Sequence, residues 1–216
     1  MGEVTYVKRG NDYFVRRKRG SVTKAGINET LQLFVKRNKV VMHTATQVND
    51  IMKEYAGHFK EGAFWQRLLS RLKKCKDDNP QTHLQSLAKL ELNERHALLK
   101  HVSITPYSIK VYKDHFTLNL KFDRHASFRN KKNNCYYYEV IALLWDNKPD
   151  ITEHHSIPTR WIYYSHEVPE YELNFKRTKW DKYYLLVVNL IGGHDGITQR
   201  GMADRAMMIL GGGKLD

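Results

Sequence analysis

The apolar positions of the chain fall into three successive patterns, which divide it into a hairpin, a helical segment and a β domain. Near the start, alternating apolar residues flank Arg9–Asn11, and the glycine inside this tripeptide suits a turn with positive φ. The pattern predicts a basic β-hairpin and linker over residues 1–25. Because an isolated two-stranded hairpin is marginally stable in water, we expect it to pack on the body of the protein or on a partner.

Over residues 26–101 the apolar residues recur at steps of three and four, which is typical of helices. A long helix is predicted from Asn28 to a stop at Gly57, with a break in its apolar stripe near Asn38. A second helix, apolar on one face and basic on the other, is predicted to end before Pro80. Two shorter helical stretches, at 83–89 and 93–100, complete a small helical bundle.

After residue 102 the apolar period drops to two. Six strand candidates joined by polar loops, with no helical pattern between them, predict an antiparallel sandwich or barrel. They lie at 108–112, 116–122, 135–145, 160–164, 171–175 and 183–191. Met202–Leu210 suits either a strand or a short helix, and Gly211–Gly213 predicts a flexible tail. The fold class is therefore α+β: a β-hairpin and a small helical bundle, followed by an antiparallel β-sandwich-like domain over 102–216.

The charge of the chain is strongly positive and unevenly distributed. Lysine and arginine number 36 against 23 acidic residues, for a net charge of +13. Residues 1–101 carry 20 basic and 10 acidic side chains, and residues 102–216 carry 16 and 13, giving net charges of +10 and +3. This asymmetry favours a basic half that meets a polyanion and a balanced half that meets protein. The alternative is a basic surface that serves solubility alone.

The densest positive run in the sequence follows the predicted hairpin, and arginine forks pair well with phosphate. The candidate nucleic-acid-binding residues are Arg9, Arg16, Arg17, Lys18, Arg19 and Lys24. We therefore predict a non-enzymatic structural, assembly or binding protein that contacts nucleic acid through phosphates, or contacts an acidic protein partner. A second copy of the chain is also a candidate partner. The alternative for the basic run is a loop that keeps a sheet edge from aggregating.

A catalytic alternative rests on histidine and aspartate in loops. His194 and Asp195 follow the strongest strand candidate, where an imidazole and a carboxylate could form a metal-assisted hydrolase or nuclease with His154 or Asp123. The alternative interpretation is an Asp-Gly turn beside a solvated histidine. His125 with Asp123 offers a similar pair. Catalytic, phosphate-loop and metal-ligand motifs are absent from the sequence, so no cofactor is expected.

A third hypothesis is a β-sandwich that binds carbohydrate or peptide through exposed rings such as Trp161 and Trp180. The two cysteines, Cys75 and Cys135, form no disulfide framework, which indicates a reduced, cytoplasmic protein, free or within a phage-like or nucleoprotein assembly. No membrane segment is expected, because the longest apolar stretch, Tyr183–Ile191, is far short of the roughly 20 residues that a bilayer requires. The first residues also lack the apolar core of a signal peptide.

The chain resembles an uncharacterised family of small basic bacterial proteins. The matching features are the hairpin segments Gly2–Lys8 and Tyr13–Arg16, the basic linker Lys18–Lys24, and a helical segment that runs into a C-terminal β domain. The resemblance covers the whole chain in layout and the first 25 residues at the level of motifs. It implies this architecture and an accessory or mobile-element role, and it implies no activity and no site residues.

Overall fold

The computed structural model describes residues 4–9, 12–17, 29–75, 77, 79–146 and 150–215, which form two compact units, 1–37 and 38–216. The first unit contains the hairpin. Its strands β1 (Val4–Arg9) and β2 (Asp12–Arg17) pair antiparallel, with Arg9 opposite Asp12. The two predicted strands are thus confirmed, whereas the predicted turn at Gly10 lies outside the described residues.

Four α-helices are present in the described ranges. They are α1 (Glu29–Ala56), α2 (Phe64–Lys74), α3 (Pro80–Ser86) and α4 (Leu98–His101), with 3-10 turns at Gly57–Phe59, Glu94–His96 and Met202–Asp204. Helix α1 continues through Asn38 without the predicted break. It ends where Gly57 adopts a φ of +52°, a left-handed conformation that glycine accepts at no steric cost. Asn79 caps α3 by accepting a hydrogen bond from the Gln81 N–H, and Pro80 occupies the first turn.

Ten strands of the second unit form two antiparallel sheets. They are β3 (Leu90–Glu91), β4 (Ser108–Val111), β5 (His115–Lys121), β6 (Cys135–Trp145), β7 (Ile151–Pro158), β8 (Ile162–Tyr163), β9 (Glu170–Lys176), β10 (Tyr183–His194), β11 (Ile197–Thr198) and β12 (Arg205–Lys214). The large sheet has the order β3-β12-β10-β6-β7, with β11 beside β10 and β8 beside β6. The small sheet has the order β4-β5-β9.

The large sheet lies between helices α1, α2 and α3 on one face and the small sheet on the other, so its central strands are buried on both faces. Along β6, Tyr138 and Val140 belong to the core shared with the small sheet, whereas Ile141 and Leu143 belong to the core shared with the helices. Strands β10 and β12 alternate in the same way, because successive side chains in a strand point to opposite faces. Helices α1, α2 and α3 therefore share one apolar core with the sheet, whereas Leu98 of α4 belongs to the core on the side of the small sheet.

Three segments differ from the sequence-based predictions. The prediction of a flexible Gly-rich tail is wrong, because Gly211–Gly213 belong to β12 and pair with β10. A side chain at Gly212 would overlap Leu185 and Leu84, so glycine there allows close packing and does not provide mobility. Strand β7 has a polar sequence, in which the apolar pattern indicates no strand. Strand β3 lies within the segment predicted to be helical.

The α+β class with an antiparallel sandwich-like arrangement is confirmed by the two facing sheets and the preceding helices. None of the helices in the described ranges combines the length and apolar character that a bilayer-spanning segment requires.

Candidate anion-binding surface

The predicted phosphate-binding residues of the hairpin fall in two groups. Arg9 lies at the end of β1, and Arg16 and Arg17 lie at the end of β2, where they pair with Thr5 and Val4. The other members of the set, Lys18, Arg19 and Lys24, lie outside the described residues. Nothing in the described structure tests the role of these six cations, which stays a prediction.

The second unit contains a cluster of basic side chains that the sequence patterns do not predict. It surrounds an open cavity of about 440 Å³, named here the cationic pocket. The residues that line it are Arg95, His96, Lys100, His101, Ser127, Phe128, Arg129 and Lys131. They come from a 3-10 turn, from α4 and from the loop between β5 and β6, a loop predicted only to be polar. None of these lining residues is acidic.

Local hydrogen bonds hold the two sides of the cationic pocket together. Asn93 caps the 3-10 turn, its side-chain oxygen accepting from the Arg95 N–H at 3.1 Å. The Ser127 N–H donates to the His101 carbonyl at 2.9 Å, and the His101 ring nitrogen Nδ1 lies 2.6 Å from the Ser127 carbonyl oxygen. The buried Phe128 ring packs against the imidazole of His101. These hydrogen bonds and the contact of Phe128 with His101 therefore bring together basic residues that are distant in the sequence.

The lining of the pocket combines several cations with no acidic residue, although Arg95 also lies close enough to Glu61 to lower the pKa of that carboxyl group. The side chains of Arg95, Arg129 and Lys131 are exposed, and within the described ranges they form no ion pair. Burial lowers the pKa of His96, and the charges of Arg129 and Lys100 lower it further. Burial likewise lowers the pKa of His101, which favours the neutral form of both imidazoles. The arrangement suits an anion that bridges several cations.

A second basic groove, of about 370 Å³, lies along α2 and reaches the other end of the same 3-10 turn. Leu68 and Leu72 of α2 are buried, as its apolar stripe predicts, while Arg71 and Lys74 lie on the exposed face. Within this groove Arg67 is neutralised, because it pairs with Glu61 at 2.9 Å and with Glu94 at 3.3 Å. The groove thus retains fewer free cations than the cationic pocket.

The residues of the catalytic alternative begin with His194, the last residue of β10, and Asp195, which lies in the turn that follows. His194 Nε2 lies 3.4 Å from Asp195 Oδ2, and both side chains are more than half exposed. Asp195 and Gly196 have φ values of +51° and +76°, as in a tight hairpin turn between β10 and β11, and Asn134 bonds to both the Asp195 carboxylate and its N–H. The His194 ring also forms a hydrogen bond with the Lys132 carbonyl. These are the contacts of a turn.

The other candidate residues of the catalytic alternative have separate surroundings. Asp123 accepts hydrogen bonds from the hydroxyl groups of Ser103 and Thr105. His154 lies 2.8 Å from the hydroxyl group of Tyr55. His125 lies 2.9 Å from the hydroxyl group of Tyr136. In the part of the chain that the structure describes, no three histidine, cysteine, aspartate or glutamate residues are grouped as a metal site would require.

The aromatic candidates differ in exposure. The Trp161 ring packs edge-on against Tyr137, with ring centroids 4.7 Å apart, and lies over Gly193 on the sheet. Trp180 is 65% exposed, and the Lys179 ammonium lies 4.7 Å from its ring centroid. The two rings therefore differ in their surroundings, since Trp161 packs on the sheet and Trp180 is mostly exposed.

Comparisons with protein-family models, with curated proteins and with solved structures found no match. The geometry and charge of this chain are therefore the basis on which a function can be assigned.

Proposed function

We propose that this chain is a non-enzymatic binding or assembly protein that contacts a nucleic acid through its phosphates. The observation that carries the proposal is the cationic pocket, where basic side chains surround one opening and no carboxylate lines it. Phosphate contacts of this kind bind without reading bases, so the binding should be strong at low salt and independent of sequence. The basic residues of the hairpin, Arg9, Arg16 and Arg17, supply a second region of positive charge to the same polymer.

The size of the pocket and its mixed walls support phosphate recognition over a purely solvated surface. Arg129 and Arg95 offer planar forks, Lys100 and Lys131 offer point charges, and the exposed Ser127 is available as a neutral donor. The Lys100 ammonium is held by the carbonyl of the 3-10 turn at 2.9 Å, which fixes its position at the pocket wall. Such preorganised charges lose less side-chain entropy on binding than free surface lysines do.

The test is fluorescence anisotropy with labelled single-stranded and duplex DNA over a series of salt concentrations. The variant Arg95→Ala/Arg129→Ala/Lys131→Ala should weaken binding for every sequence. For duplex DNA it should also reduce the slope of log affinity against log salt by about 0.9 for each phosphate that the variant no longer neutralises. The proposal fails if the unaltered protein shows no salt-dependent binding.

A matched control removes the same charge elsewhere. Lys110, Lys113 and Lys176 are exposed lysines on the small sheet and its turns, and their triple alanine variant changes the net charge by the same three units. We expect this control to bind nearly as the unaltered protein does. Equal weakening by the two triple variants would mean that only the net charge matters and that the cationic pocket has no special role.

The hairpin charges are tested separately. Replacing Arg16, Arg17, Lys18 and Arg19 with alanine should weaken binding uniformly across sequences if the hairpin contacts the same polymer. Size-exclusion chromatography with light scattering, with the 260/280 nm absorbance ratio read before and after a high-salt wash, then reports co-purifying nucleic acid and the assembly state. We propose a cytoplasmic location, consistent with the free and buried thiols of Cys75 and Cys135.

A further inference from the structure

A second cavity, unrelated to the cationic pocket, opens where the helical layer stops and the large sheet continues. It has a volume of about 490 Å³, within the range of small-molecule sites, and is named here the sheet-end cavity. Its rim consists of the exposed residues Gly57, His58, Thr198, Arg200, Gly201 and Met202. Its floor consists of buried or half-buried residues, which are Ala56, Phe59, Tyr137, Glu139, Ile191, Gln199 and Arg205.

The floor exists because polar residues replace apolar ones on the helix-facing side of three neighbouring strands. Glu139 of β6 pairs in register with Asn189 of β10, and Arg205 of β12 pairs with Ile191. The Asn189 amide donates to Glu139 Oε2 at 2.8 Å and accepts from Arg205 Nε at 3.0 Å, so one asparagine links a carboxylate to a guanidinium. Ser156 donates to the other carboxylate oxygen at 2.6 Å.

Both charged groups of the floor keep hydrogen-bonding capacity. Arg205 donates to Asn189, to the Ala56 carbonyl at 3.1 Å and to the Tyr55 carbonyl, which uses three of the five N–H groups of a guanidinium. Each oxygen of the Glu139 carboxylate accepts one of the hydrogen bonds described above, and a carboxylate oxygen can accept two. No direct ion pair joins these two charges within the described residues. Burial lowers the pKa of Arg205 while Glu139 raises it electrostatically, and both groups keep unused hydrogen-bonding positions for a ligand.

The rest of the cavity adds an apolar wall and one more cation. Phe59 and Ile191 are 3% and 7% exposed, and Met202 at the rim is 48% exposed, so a ligand could cover it. Arg200 stands exposed at the rim and makes no hydrogen bond or ion pair in the described part of the chain. A small molecule in this cavity would therefore meet a cation, an anion and an apolar surface together.

We infer that the sheet-end cavity binds a small zwitterion with an apolar side group, the chemistry of an apolar α-amino acid. The carboxylate of the ligand would be held by Arg205 and Arg200, and its ammonium by Glu139. The apolar group would cover Met202. This site takes a ligand of a different class from the polymer of the proposed function, and neither conclusion depends on the other.

The test uses isothermal titration of the full chain with three related probes. They are L-phenylalanine, its analogue without the ammonium (3-phenylpropanoate) and its analogue without the carboxylate (phenethylamine). We expect each analogue to bind about tenfold or more weakly than L-phenylalanine, because each lacks one charge-assisted hydrogen-bonding group. The absence of measurable heat for all three probes, or equal binding of the three, overturns the inference.

Two variants test whether the measured heat of binding arises from a ligand in the sheet-end cavity. Met202→Trp places a larger side chain at an exposed rim position, where it should block the opening and abolish binding while leaving the fold intact. Glu139→Gln removes the negative charge and should bring the affinity for L-phenylalanine close to that for 3-phenylpropanoate. Lys110→Ala, on the small sheet, is the control and should bind as the unaltered protein does. Binding that survives Met202→Trp unchanged would place the ligand elsewhere and overturn the inference.

Discussion

Glu91 is a buried carboxyl group whose ionisation should make the stability of the protein fall as the pH rises. It lies on the short strand β3, where its Oε2 accepts a hydrogen bond from the Leu98 N–H at 2.9 Å. Its Oε1 is buried and makes no hydrogen bond within the described residues. Burial raises the pKa of Glu91 from the ordinary 4.5 to about 7, although Lys100 and Arg67 oppose this increase.

The direction in which the free energy of unfolding changes with pH follows from proton linkage. Between pH 4.5 and pH 7 the folded state keeps the Glu91 proton, while the unfolded chain loses it. The stabilising contribution is therefore fully present below pH 4.5 and is lost as the pH rises through 7. One pKa unit corresponds to about 1.4 kcal/mol, so Glu91 should lower the free energy of unfolding by about 2.5 kcal/mol between pH 5 and about pH 8.5. The lowered pKa values of His96 and His101 act with the opposite sign in part of this range.

The assay is urea unfolding, followed by tryptophan fluorescence, of the unaltered protein and of Glu91→Gln over this pH range. The amide keeps an acceptor for the Leu98 N–H but does not ionise, so the variant should gain about 2.5 kcal/mol relative to the unaltered protein from the acidic to the alkaline end. The comparison cancels the histidine contributions, which both proteins share. Glu172→Gln, an exposed position on β9, is the control and should follow the unaltered profile. Parallel profiles for Glu91→Gln and the unaltered protein would refute the reasoning.

Three further substitutions test how the second unit is held together. Arg205→Met should lower the free energy of unfolding by about 3 kcal/mol, because it leaves the Tyr55 and Ala56 carbonyl groups without their donor. A decrease of less than about 1 kcal/mol in urea unfolding would contradict this. Gly193→Ala would force a Cβ into the Trp161 ring and should cost about 1–3 kcal/mol with a shift of the tryptophan emission, and an unchanged spectrum would argue against this packing. Leu186→Ala, fully buried between the two sheets, should cost about 2–5 kcal/mol, which thermal unfolding can measure.

The sequence was most informative where a local pattern and the tertiary environment agree. The apolar stripe of α1 and its glycine stop at Gly57 predicted the helix, because the stripe is the face that packs on the sheet. The long apolar runs that became β6 and β10 predicted central strands, because both of their faces are covered. The α+β class could also be predicted, since the helical and alternating patterns occupy separate stretches of chain.

The sequence was less informative where a role depends on distant neighbours. Strand β7 has a polar sequence with paired histidines, and it forms an edge of the large sheet, where polar side chains can remain exposed. Gly211–Gly213 has the composition of a flexible tail. The residues that pack closely against it in β12 are distant in the sequence, so the local sequence does not indicate a strand. No local sequence pattern predicts the cationic pocket. Arg95 and Arg129 are distant in the sequence, and the hydrogen bond between His101 and Ser127 joins the two segments that carry them. The density of lysine and arginine near residue 130 was the one signal that could have indicated it.

The position of β12 has a consequence for the order in which the molecule can be assembled. This strand is the last one in the described chain, yet it lies inside the large sheet, between β3 and β10. Before β12 has been synthesised, one edge of β10 is unpaired along its length. The apolar face of the helices also lacks the part of its packing surface that Met207 and Ile209 of β12 provide. A chain that stops before Arg205 would leave this edge of β10 unpaired and would therefore be prone to aggregation and proteolysis.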